Sequence, residues 1–127
     1  MTLSAEQLEP AKGADVTSGD GHPAGTVEGI YLDESTREPE WALVNTPWIG
    51  QRNTFVPLRE ATLEQGTLRV PYSSDQLRGA PTIDPDGSLS EGEEAELYSY
   101  YGMPYPRKAG FRITRYSDLF PDRQLWS

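Results

Sequence analysis

The chain has 127 residues, 35% of them hydrophobic, no cysteine, and a formal net charge of −9. This length holds one domain around a single modest core, and the missing thiols exclude a disulfide frame and any thiolate metal site, which fits a reducing, cytoplasmic setting. No run of about 18 apolar residues occurs, so no membrane-spanning helix is expected.

The N-terminal stretch Met1–Leu8 lacks the charged and apolar regions of a secretory signal. It holds instead a short helical turn over Leu3 to Leu8, with Ser4 as N-cap and Gln7 as its reciprocal partner, stopped by Pro10. Asp15-Val16-Thr17 reads as a short strand and Ser18-Gly19-Asp20-Gly21-His22-Pro23 as a turn.

The central feature is a predicted hairpin. In its first arm, Thr26 to Asp33, period-two alternation points Val27 and Tyr31 one way and Ile30 and Leu32 the other. In its second arm, Trp41, Leu43 and Asn45 share one face, and Ala42, Val44 and Thr46 the opposite one. Apolar residues on both faces suit a strand covered on each side. The connector Glu34 to Pro39 is polar, and Pro39 resists continuing a ladder because it lacks an N–H. Gly25 and Gly29 mark a bulge, bend or close backbone approach rather than strand propensity.

Pro47 to Asn53 reads as a loop. Thr54 to Leu58 is a third strand, placed near an edge or a bulge by Pro57. Ala61-Thr62-Leu63 and Thr67 to Tyr72 are two more strands around a turn at Glu64-Gln65-Gly66. A capping box at Ser73–Gln76 opens a short helix reaching about Arg78, which Gly79 and Pro81 stop. After a turn at Asp84 to Gly87, a second capping box at Ser90–Glu93 opens a helix over Glu91–Tyr101. The four glutamates 91, 93, 94 and 96 sit near its start, where the helix dipole favours negative charge, and Gly102 and Pro104 end it. Beyond them, Phe111-Arg112-Ile113 is a further candidate strand.

Charge is distributed unevenly. Residues 1–106 carry a net −12 and residues 107–127 a net +3. An acidic body repels phosphate backbones, so nucleic acid is a poor partner. The C-terminal stretch is basic and holds Phe111, Ile113, Tyr116, Leu119, Phe120, Leu125 and Trp126, too many apolar groups for a disordered segment. Two arrangements are open: the tail docks on its own barrel, or it crosses to a second copy as a homodimer.

Motifs of chemistry are weak. His22, the only histidine, lies beside Asp20, but one or two donors make a poor metal site. Asp84 to Glu91 has Leu89 where a calcium loop needs glycine. Glu34, Glu38 and Glu40 cluster near the hairpin tip, where carboxylates are usually solvated rather than poised for acid–base work. Neither a nucleophile–base motif nor a phosphate-binding glycine loop is present. No catalytic residue, metal or cofactor is therefore expected. Trp48 and Ile49, with Arg52 nearby, stand in a loop rather than an alternating strand. They read either as an interaction hot spot or, for Trp48, as a plug over the barrel mouth.

The order GTVEGIYLDESTREPEWALVNT, FVPL, LRVPYSSDQLRGAP, LSEGEEAELYSYYG resembles the PRC-barrel family over about residues 13–102. This barrel is shared by the photosynthetic reaction-centre H subunit and a ribosome-maturation factor. The later tracts are similar to its free-standing, stress-associated bacterial branch, actinobacterial in type. The resemblance implies an all-β fold: a small antiparallel barrel with a short C-terminal helix and an extended tail. Residues 1–12 form a lead-in, 13–102 the barrel and 103–127 the tail. It also implies a non-enzymatic adaptor that binds an unidentified protein partner. Trp48, Ile49, Arg52, Phe111, Tyr116 and Trp126 are the candidate contact residues. The alternative is a small-ligand or metal-binding barrel.

Overall fold

The structure, a computed structural model, describes residues 4–46, 52–81, 83, 88–106 and 110–122. Helix α1 spans Ala5–Leu8 behind its Ser4–Gln7 capping box, and a 3-10 turn continues it over Glu9–Ala11. The strands are β1 (Asp15–Thr17), β2 (Pro23–Asp33), β3 (Pro39–Thr46), β4 (Arg52–Pro57), β5 (Thr62–Glu64), β6 (Thr67–Arg69) and β7 (Ile113–Arg115). Helix α2 covers Ser74–Arg78, α3 Glu91–Tyr100 and α4 Tyr116–Leu119. The fold is thus mostly sheet, with a few short helices.

The long β2–β3 hairpin is the spine. At its tip the Asp33 carboxylate accepts from the Ser35 N–H at 2.9 Å and the Ser35 hydroxyl at 2.8 Å, and Arg37 takes the left-handed conformation at φ +65°. Such side-chain-to-backbone bonds hold a turn that the ladder itself does not close. Pro39 is tolerated because it begins its strand rather than interrupting it.

One expectation about this hairpin is corrected. Val27 pairs with Val44 and Gly29 with Leu43, so Glu28 is an extra residue in β2. A bulge of one residue reverses the alternation beyond it. Residues directly opposite share a face, so Val27 lies with Val44, Ala42 and Ile30, not with Tyr31. Gly25 has the role expected of it: its φ is +137°, and an added Cβ would lie 2.0 Å from the Asn45 carbonyl oxygen.

The strands form one seven-stranded sheet in the order β4-β3-β2-β1-β6-β5, with β7 on β2. Thr26 pairs with both Asp15 and Asn45, and Tyr31 with both Arg115 and Trp41. Hence β3 fills one edge of β2 while β1 and β7 share the other. The all-antiparallel expectation fails at one place, because β1 runs parallel to β6, with Val16 opposite Leu68. The chain enters β6 only after passing through β2 to β5, a connection long enough to bring it back in the same direction. Among the described residues no ladder joins β4 to β5.

The core is continuous from the sheet to Tyr116. Trp41, Tyr31, Phe55 and Leu43 on the sheet, Leu97 and Tyr98 on α3, and Phe111, Ile113 and Tyr116 are all buried. The Trp41 ring meets Tyr98 edge-on at 5.2 Å, and Tyr98 meets Phe111 at 6.1 Å. Residues 111–116 therefore dock on their own chain. Glu94, with no exposed surface, fastens them: Oε2 accepts from the Ile113 N–H at 2.9 Å and Oε1 from the Tyr105 hydroxyl at 2.5 Å. Arg112 Nε stands 3.8 Å away.

Candidate partner-binding cleft

The turn between β1 and β2 is bound to the start of α2 by side chains far apart in sequence. Ser18 is buried. Its hydroxyl accepts from the His22 N–H at 3.2 Å, lies 3.2 Å from the Ser74 hydroxyl and bonds the Asp20 carboxylate. Asp20 in turn accepts from the Ser74 N–H at 3.2 Å and the Ser74 hydroxyl at 3.0 Å. The Gly19 N–H donates to the Tyr72 carbonyl at 2.7 Å. No side chain fits at Gly19, where a Cβ would come within 2.3 Å of the Pro71 oxygen. Two short, exposed segments are thereby held as one rigid edge.

Donors directed at the charged form of a carboxylate lower its pKa. Asp20 shows this effect: the Ser18 hydroxyl lowers its pKa most, burial opposes it, and the Ser74 hydroxyl and N–H lower it further. It is held ionised. Its partners are neutral hydroxyl and amide donors, so among the described residues its charge has no cation against it.

Between this turn and α2 opens a cleft of about 490 Å³. Asp20, His22, Pro23 and Ala24 form one wall, and Ser74, Asp75, Leu77 and Arg78 the other, with Thr46 at the end of β3 closing one side. Pro23, Ala24 and Leu77 supply apolar surface, while the carboxylates and Arg78 supply charge. Asp75 and Arg78 are paired at 3.6 Å and remain open to solvent, their side chains 94% and 59% exposed respectively.

Serine, aspartate and histidine meet here, yet they do not form a nucleophile–base relay. Ser18 contacts His22 through the His22 main chain, whereas a relay needs the imidazole on the hydroxyl. Among the described residues no group of three or more His, Asp or Glu side chains is placed to hold a metal ion. What the arrangement can do is receive an apolar group flanked by a charge.

The expected contact residues fall in three places. Phe111 and Tyr116 are 5% and 1% exposed. They are core residues rather than surface contacts, because β7 pairs with β2 and draws both rings inside. Arg52 opens β4 opposite Thr46, a residue of the cleft wall. Trp48, Ile49 and Trp126 lie outside the described residues, as does the Asp84–Gly87 turn. Of the hairpin-tip carboxylates, Glu34 accepts from the Thr114 hydroxyl at 2.9 Å. Glu40 is half-buried with the Tyr98 hydroxyl 3.4 Å away. These are packing contacts.

Sequence reasoning missed the Ser18–Asp20–Ser74 staple, since a separation of 54 residues leaves no local trace. It also read Glu94 as a helix-dipole glutamate. The signal available was position: Glu94 lies three and four residues before Leu97 and Tyr98, on the buried face of α3.

A family model described as the PRC-barrel domain matches residues 9–77. No curated protein matches the chain. The matched stretch takes in β1 through β6 and most of α2, and with them both walls of the cleft except Arg78.

Proposed function

The chain belongs to the PRC-barrel domain family, and from that premise we propose that it is a non-enzymatic protein–protein interaction module whose contact site is the cleft between the β1–β2 turn and α2. Domains of this family are often interaction modules. The observation that carries the reading is a pre-formed recess, apolar at Pro23, Ala24 and Leu77 and charged at its rim. Its edge is stapled by Ser18, Asp20 and Ser74. Interfaces gain most of their affinity where an anchor side chain fills such a recess and polar groups around it exclude water. Rigid walls lower the ordering cost of association. Trp48 and Ile49 follow the cleft residue Thr46 in sequence and would extend the contact surface.

The charge-inverting pair Asp75→Lys with Arg78→Glu tests this. Both side chains are exposed, so the melting temperature should stay within a degree or two. Capture of the partner from a native lysate should fall roughly tenfold, equivalent to about 1.4 kcal/mol. Undiminished capture by a correctly folded double variant would refute the cleft as the contact site.

A second reading, a small-ligand barrel, is favoured by the cleft volume, which lies in the range of roughly 300 to 1,000 Å³ usual for such sites. Thermal shift against metabolites and divalent ions separates the two. A ligand at a hundred times its Kd would stabilise the chain by about 2.7 kcal/mol.

A further inference from the structure

We infer that the cleft receives the C-terminal Arg123-Gln124-Leu125-Trp126 segment of a second copy of this chain, in a reciprocal exchange that makes a dimer. This inference rests on the reading of the cleft as a polypeptide-binding site and names the occupant.

Charge gives the first reason. The body over residues 1–106 carries −12, and residues 107–127 carry the opposite sign, +3. Locally the match is closer. Asp20 faces the cleft as a carboxylate bound only by neutral donors among the described residues. Arg123 is a guanidinium that can pair with it.

Shape gives the second. Leu125 and Trp126 follow that arginine at two and three residues. Pro23, Ala24 and Leu77 provide an apolar surface inside a volume of about 490 Å³. A bulky aromatic beside a leucine is the type of anchor that fills such a recess.

Reach decides between one copy and two. The Phe120 ring lies under the Arg37 guanidinium at 5.2 Å, at the tip of the β2–β3 hairpin. The cleft lies at the opposite end of β2, at Pro23 and Ala24. Strand β2 has 11 residues, which at about 3.3 Å each separates the two ends by roughly 30 Å. Six residues from Phe120 to Trp126 span at most about 20 Å when fully extended. The segment is shorter than the strand that separates the two ends, and on that ground we assign it to the cleft of a neighbour. Reciprocal insertion uses both segments and both clefts, closing the assembly at two copies.

Sedimentation of the full-length chain over a wide concentration range tests this with three variants. Wild type should dimerise, while Trp126→Ala and Asp75→Lys should each raise the dimer dissociation constant at least tenfold. Asp75→Lys combined with Arg123→Glu should recover dimerisation, because the arginine enters between the two cleft carboxylates, Asp20 and Asp75, and the double variant exchanges the charges of the second contact. Mixing the Trp126→Ala and Asp75→Lys chains should also restore part of it, because the mixed dimer keeps one intact segment opposite one intact cleft. A wild-type chain that stays monomeric overturns the inference, and so does a dimer indifferent to Trp126→Ala. If that monomer still captures a lysate partner through Asp75 and Arg78, the exchange alone fails and the interaction reading stands.

Discussion

Glu94 carries more of the fold than its place on a glutamate-rich helix suggests. Its carboxylate is fully buried and bonded to the Ile113 N–H and the Tyr105 hydroxyl. Burial, followed by the hydrogen bond to Glu94, pushes the Tyr105 hydroxyl up to about 12, so it remains a donor at any physiological pH. Glu94→Ala strands a buried amide and removes the ion-pair partner of Arg112, which keeps its bond to the Leu89 carbonyl. Arg112 is 37% exposed and can return to water, so the cost comes mainly from the lost hydrogen bonds. About 3 kcal/mol is expected in urea unfolding, and a loss below about 1 kcal/mol would contradict the role. Glu40 acts in the opposite sense. Burial, and then the neighbouring Asp33 charge, raise its carboxyl above the usual 4.5. Between that value and its folded one, the native state holds a proton the unfolded chain has already released. Stability therefore falls as pH rises through that window. Glu40→Gln should melt higher than wild type at neutral pH, with the gap closing as pH drops below the usual glutamate value. A gap that is constant with pH would show that Glu40 does not titrate in this way.

At the scale of elements, β7 is the instructive case. Three residues cannot hold a strand by themselves, yet Leu32 pairs with Thr114, and the Glu34 N–H donates to the Arg112 carbonyl at 2.9 Å. On the other side the Leu89 N–H donates to the Ile113 carbonyl at 3.0 Å. Bonded on both flanks and bracketed by the buried rings of Phe111 and Tyr116, β7 should open only with the rest of the sheet. Hydrogen exchange at Ile113 and Glu34 should be as slow as in β2 and β3. Exchange at the rate of a frayed terminus would mean that the segment detaches independently. The hairpin, the third strand and the capped helices were legible because alternation and capping are local patterns. Ser4, Ser73 and Ser90 each cap a helix, with the foretold reciprocal capping box at Ser4 and Ser90 and the one-way bond from the Gln76 N–H at Ser73. The Glu28 bulge was not legible: an inserted residue leaves the composition of a strand unchanged and alters only its phase. Nor was the parallel β1–β6 pair, since strand direction depends on the whole path between them. The candidate strand Phe111-Arg112-Ile113 was located two residues early, because its ladder begins only where β2 offers an edge.

For the whole molecule, one buried core unites the family-matched stretch with α3 and β7, so the chain presents its surface on a single packed body. No helix among the described residues is long and apolar enough to cross a membrane. Packing consumes Phe111 and Tyr116, while the cleft keeps an apolar floor, an ionised Asp20 and a solvent-exposed rim. That contrast supports the proposal of the cleft as the contact site and opens it to direct test. A photo-crosslinking residue placed at Arg78, on the rim, should form discrete adducts to protein in a native lysate. The same residue at Glu96, on the exposed side of α3, serves as the control. Adducts from position 78 with few or none from position 96 are the expected result, and equal yields from both, or adducts from position 96 alone, would contradict the cleft as the place where this chain takes its partner.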